Sequence, residues 1–260
     1  MDMSAMDTWM LIIATLLAAA AAVQGANYVR RGVRSPWTMI WMLLSFIAQL
    51  VLLGMRGDLR GACPLGDTGE ILIFSAWSLT MFYMAVGSVY RLSLLGVFTA
   101  PLVAFLLGLA LVPGMMDPNP EHVLVVDGWR EAHAAFSVLA YGALGLAAVA
   151  GFMFLLLNRR LKDANMDNGL FRNLPPVREL SRVVRRLLVL GFAILTLGLI
   201  CGLVMQKTQG MGAHLVVALC QWVAYALLLI IERRRGMPAR KLALAAVALF
   251  ILSLLIFPLL

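Results

Sequence analysis

Charge is scarcest in this sequence where a water-soluble protein would need it most. Only 13% of the 260 residues are Asp, Glu, Lys or Arg, against about 25% in ordinary globular domains. No long apolar block carries one away from its ends. Charges inside a membrane are costly and mark ion paths where they occur. Their absence weighs against an ion-coupled transporter or a proton pump, leaving only neutral Gln24, Gln49 and Gln221 to line a path. Neither H-E-x-x-H nor G-x-S-x-G is present, which weighs against a hydrolytic membrane enzyme; the chain reads as non-enzymatic rather than catalytic. The cysteines Cys63, Cys201 and Cys220 form no C-x-x-C and no metal-type cluster, so they do not report a redox compartment. The polar–apolar alternation of a membrane barrel strand is missing as well.

Long continuous apolar runs are what the chain does have. Hydrophobic residues make up 62% of it, the mean hydropathy is +0.93, and a stretch such as LALAAVALFILSLLIF (242–257) is typical. Backbone polar groups must be satisfied internally in lipid, so these runs predict an all-α, polytopic transmembrane bundle. A hydrocarbon core of ~30 Å takes about twenty helical residues. The blocks predict eight spans, at about 8–27, 37–55, 69–89, 93–113, 132–157, 186–206, 212–231 and 241–258, within a single integral membrane domain of residues 1–260. The first span does not read as a cleaved signal peptide, because Asp2 and Asp7 precede it without Lys or Arg.

The net charge of +8 does not indicate nucleic acid, since the bases sit at the ends of apolar blocks and orient helices instead. Of 21 Lys and Arg, 17 fall in alternate connections (around Arg30–Arg34, Arg91, Arg159–Arg186 and Arg233–Lys241) and 4 (Arg56, Arg60, Arg130, Lys207) in the others. This asymmetry puts the first group in the cytoplasm and both chain ends outside. The inner connection NRRLKDANMDNGLFRNLPPVRELSRVVRR reads as a solvated basic linker that Pro175 and Pro176 keep from being one continuous helix. Its contact with anionic lipid headgroups would be a by-product.

Two histidines stand near helix starts on the predicted outer side. His133 opens the fifth span, with Ser137 and Tyr141 following at i+4 and i+8 on one face. His214 opens the seventh, with Gln221 and Tyr225 at i+7 and i+11. Two neutral imidazoles facing each other across a bundle form a ready axial pair for haem iron. The plainer reading is that each is an interfacial histidine bonded to a loop carbonyl or a headgroup. His122, in the outer loop, reads as solvated. Trp129 reads as an interfacial anchor, and Trp77 and Trp222, deeper in their spans, as packing or pocket residues. The scattered Met residues read as adaptable packing. Cys201 and Cys220 lie at similar depth, roughly 9 and 12 Å at ~1.5 Å per residue. A redox pair is geometrically open, though buried membrane cysteines are usually small apolar packers.

Three stretches, residues 61–102, 129–162 and 182–229, resemble the cytochrome c assembly superfamily (CcsA/ResC and CcmC), especially its short HemX/YpjD-like branch. The resemblance rests on Pro64, Glu70, Phe74 and Trp77 (P-x5-E-x3-F-x2-W), on His133, Ser137 and Tyr141 (H-x-x-x-S-x-x-x-Y), and on Trp222 and Tyr225 (W-x-x-Y). It covers about residues 60–230, and the order and spacing of the motifs carry it. The resemblance implies a multi-pass inner-membrane protein of cytochrome c maturation that handles haem at its outer face, together with other maturation or haem-synthesis proteins. His133 matches the family histidine opening this helix, which makes His133 and His214 the implied axial ligands. Ser137, Tyr141 and Trp77 would line the pocket, and Glu70 would be a polar contact near the outer surface. At the position of His214 related sequences often carry Lys, with a histidine commonly beside it. The tryptophan-rich haem-handling segment W-G-x-x-W-x-W-D is replaced here by QKTQGMG (206–212). That replacement favours an accessory or regulatory role, with or without haem, over direct haem–cytochrome ligation.

Overall fold

The computed structural model describes residues 3–31, 37–90, 93–116, 127–162, 177–205 and 211–256. The side chains at several element ends, including 211–214, lie outside the described residues. Eight α-helices and no strand occur among the described residues: α1 (Met3–Arg31), α2 (Trp37–Arg60), α3 (Thr68–Tyr90), α4 (Ser93–Ala110), α5 (Gly128–Lys162), α6 (Val177–Val204), α7 (Met211–Arg235) and α8 (Ala239–Ile256). Each predicted span is a helix. Within α1, α2, α3, α5, α6 and α7, six segments are long and apolar enough to cross a membrane, and Leu94–Ala110 in α4 is a shorter apolar helix. The chain is a polytopic helical membrane protein.

Several helices outrun their apolar blocks. α6 begins at Val177 rather than near 186, because VRELSRVVRR continues the helix into polar surroundings. Hydropathy marks the part of a helix that lipid can surround, whereas backbone hydrogen bonding decides where the helix ends. The ends carry local signals. Asp127 caps α5, its carboxylate accepting from Trp129 N at 3.1 Å and its carbonyl from Glu131 N at 3.0 Å. Gly236, at φ 64°, ends α7 in the left-handed region that favours glycine.

The helices form two compact units, α1–α4 and α5–α8. In the first, α1 packs on α2 and α4, and α3 on the same two. In the second, α6 packs on α5, α7 and α8, and α8 also meets α5 and α7. Small residues make up much of the buried faces of several helices. Along α1, Leu11, Ala14, Ala18 and Ala21 are buried, while Trp9, Leu16 and Val23 are exposed. On α5 and α8 the buried faces include Ala140, Ala143, Ala147, Ala150, Ala243 and Ala246. Lipid removes the hydrophobic drive for helices to associate, so close backbone approach over small side chains takes its place. Side-chain hydrogen bonds add to it, as where buried Ser45 of α2 donates to Ala14 O of α1 at 2.8 Å.

Candidate functional site

The second unit holds most of the sequence-predicted site. α5 and α6 meet in strict antiparallel register along three glycines. A Cβ at Gly191 would lie 2.7 Å from Leu144 Cδ2, one at Gly198 would lie 3.2 Å from Ser137 Oγ, and one at Gly202 would lie 2.7 Å from His133 Nδ1. Each step along α6 is matched by an equal step back along α5. The imidazole of His133 thus lies over the face of α6 that Gly198 and Gly202 leave bare, with Nδ1 2.7 Å from Gly198 O. A carbonyl oxygen only accepts, so Nδ1 carries the proton. In the neutral ring Nε2 is then the lone-pair nitrogen. Ser137, one turn on, fits into the same glycine-lined contact.

α7 is positioned from α6 in turn. Trp222 Nε1 donates to Thr196 Oγ1 at 2.9 Å, and its ring tilts against Phe192 with centroids 5.4 Å apart. With only residues 205–210 between the two helices, α7 runs antiparallel to α6 and therefore in the direction of α5. Tyr141 donates to Gln221 Oε1 at 3.2 Å and ties α5 to α7 directly. His133 lies eight residues before Tyr141, and position 214 lies seven before Gln221. At ~1.5 Å per residue these are about 12 and 10.5 Å along parallel helices, so the backbones at 133 and 214 stand at nearly one height. The side chain of His214 lies outside the described residues, as do His122, the linker 163–176 and residues 206–210.

Below that level is a polar stripe. Gln221 Nε2 and the hydroxyl of buried Tyr225 have no hydrogen-bond partner among the described residues. A buried donor left unsatisfied costs on the order of 1–3 kcal/mol, so a polar guest would gain by pairing with either. Cys201 is buried on α6, Cys220 is exposed on α7, and both thiols are free.

Trp77 and Glu70 belong to the first unit. Trp77 stacks on Phe46 of α2, with centroids 5.3 Å apart and planes 16° apart, and also meets Phe74. Glu70 is fully buried with both oxygens engaged. Oε1 accepts from Arg56 Nε at 2.7 Å and pairs with Arg60 Nε at 3.1 Å. Oε2 accepts from the backbone N–H groups of Gly66 at 2.9 Å and Asp67 at 3.3 Å. The latter is the capping-box arrangement, in which the third helical residue reaches back to the cap. Arg56 extends the network to Asp7 of α1 at 3.2 Å, to Asp67 at 3.1 Å and to Met116 O, just beyond α4, at 3.3 Å. Arg60 also pairs with Asp67. One guanidinium therefore ties the same end of all four helices.

Sequence reasoning did not find this network, because it treated Arg56 and Arg60 only as markers of orientation and Asp7 only as evidence against a cleaved signal peptide. It also passed over Gly198 and Gly202, although G-L-I-C-G on α6 is a small-x-x-x-small signature of close helix approach.

A family model described as "Cytochrome C assembly protein" matches residues 65–259. The chain is similar to proteins named "Cytochrome c biogenesis protein CcsA" from several organisms. The one from Crocosphaera subtropica is 24% identical, over 79% of this chain and 78% of that protein. The one from Chlamydomonas reinhardtii is 25% identical, over 82% and 62%. The one from Thermosynechococcus vestitus is 26% identical, over 75% and 74%.

Proposed function

The chain belongs to the cytochrome c assembly protein family and has a role in cytochrome c maturation; from that premise we propose that it binds or handles haem at the outer face of its second unit, in the cell's inner membrane. In this reading His133 and His214 would hold the haem, and Ser137 and Tyr141 would line its pocket. When bound, haem supplies the iron that two imidazoles coordinate. The observation that carries the reading is the common height of positions 133 and 214, which follows from the Tyr141–Gln221 bond and the parallel run of α5 and α7. The residues present fit the group. His133 offers Nε2 as its lone-pair nitrogen, and the unpaired Gln221 and Tyr225 donors make the neighbouring stripe receptive to a polar group. Glu70 and Trp77 carry the packing of the first unit, with Glu70 already saturated.

The protein, purified in detergent with added haemin, is expected to show a Soret band typical of two-histidine coordination. The His133→Ala/His214→Ala double variant is expected to lose it. An unchanged band in that variant would remove both ligands from the assignment.

A second reading, a haem-free assembly or regulatory protein acting through another maturation or haem-synthesis protein, is favoured by one observation. The connection from α6 to α7 spans only residues 205–210 and has no room for a tryptophan-rich haem-presenting segment. A partner that co-purifies from the native membrane with no visible chromophore would support it.

A further inference from the structure

We propose that Gly198 and Gly202 of α6 are positioning residues for His133, presetting its imidazole as the Nδ1–H tautomer with Nε2 as the ligating nitrogen. This rests on the reading of His133 as a ligand, but its first consequence holds for the protein without haem.

The argument starts from helix geometry. The carbonyl of residue 198 points along α6 toward the amide of residue 202, its ordinary intrahelical partner. It retains a second lone pair, open from the side. In most helices the side chain at i+4 crowds that side. Here residue 202 has no side chain, and the His133 ring occupies the space. A Cβ at position 202 would fall 2.7 Å from Nδ1 and 2.9 Å from Cε1, closer than such atoms approach. The absence of a side chain at 198 lets α5 come near enough for the 2.7 Å hydrogen bond. A Cβ there would lie 3.2 Å from Ser137 Oγ and 3.3 Å from Ser137 N, so that Ser137 would have to give by a few tenths of an ångström.

One glycine therefore sets the interhelical distance and the other uncovers the acceptor. The bond fixes ring orientation and tautomer together. A backbone carbonyl is a permanent acceptor that cannot change protonation state, unlike a carboxylate in the same place. Holding the second ring nitrogen of a ligating histidine is how such partners raise ligand basicity and fix the ring.

The test uses the full-length protein in detergent, labelled with 15N-histidine and studied without haem at pH ~8.5, where an ordinary imidazole is neutral. His133 is identified among the three histidines by the signals lost in His133→Ala. The expected spectrum has a protonated Nδ1 and an unprotonated Nε2 at His133. In Gly202→Ala, with its helical circular dichroism retained, that pattern is expected to give way to a tautomer mixture. Gly198→Ala is the second variant should Gly202→Ala fail to fold. Haemin titration then separates the two ideas. Affinity is expected to fall by roughly 10–100-fold in Gly202→Ala, the usual cost of losing such an outer partner, with added imidazole restoring the two-histidine spectrum. A wild-type His133 that is predominantly Nε2–H would overturn the inference. So would haemin affinity that depends on His133 and is untouched by Gly202→Ala. If the wild type binds no haemin, the ligand reading falls, while the tautomer result still decides what the glycines do.

Discussion

Replacing Arg56 by Met should be among the most damaging single changes available to the first unit. The Arg56 side chain is 12% exposed, and its partners Asp7, Asp67 and Glu70 are 8%, 1% and 0% exposed. Methionine keeps an unbranched apolar stem of similar length, so the loss is mainly the charge and its bonds. Removing one partner of a buried ion pair costs about 3–5 kcal/mol, because the other charge stays buried without compensation. Arg60 still serves Asp67 and Glu70, which argues for the lower end of that range. Asp7, whose other oxygen also lacks a partner among the described residues, has no such substitute there. The expected loss is therefore about 3 kcal/mol, a shift of roughly a hundredfold in the unfolding equilibrium at 1.4 kcal/mol per decade. Arg60→Met should cost less, about 1–2 kcal/mol, because Arg56 continues to bind all three carboxylates. Reversible unfolding in mixed micelles, titrated with a denaturing detergent and followed by circular dichroism, measures both. A change in Arg56→Met within ~1 kcal/mol of wild type, on the order of a surface pair, would refute the view that this arginine holds the four helix ends together. Equal losses in the two variants would refute the assigned division of labour.

Trp222→Phe keeps the contact with Phe192 and removes the Nε1 bond to Thr196. It should cost about 0.5–1.5 kcal/mol in the same titration, whereas Trp222→Ala, which also empties the ring's space, should cost several-fold more. An alkaline phosphatase reporter active only outside the cytoplasm should be active when fused after residue 260 and inactive when fused within 163–176. The reverse result would invert the orientation read from the 17-to-4 distribution of bases.

Helix number and approximate placement were legible in the chain because burial in lipid demands long apolar runs, and such runs show without any tertiary information. The candidate ligands were legible only in part. His133 and His214 stand out because imidazoles are rare here, three in all. Their similar depth could be counted from apolar boundaries, but those boundaries blur by several residues, as the start of α6 shows. The bond from Tyr141 to Gln221 gives the sharper measure. Glu70 was visible as an acidic residue at a helix start, but its pairing with Arg56 and Arg60 was not, because that depends on how α3 turns back against the end of α2, and Asp7 joins only through the packing of α1.

Sequence alone determined that this is a helical membrane protein, which family its motifs resemble, and which few polar residues stand inside an apolar background. These are properties of composition and spacing, and lipid enforces them segment by segment. Tertiary structure alone decided which small residues become contact surfaces, that a backbone carbonyl of α6 holds His133, and that Arg56 is shared among four helices. Each of these depends on helix rotation and register, which vary with a single residue's ~100° turn and leave the apolar pattern unchanged.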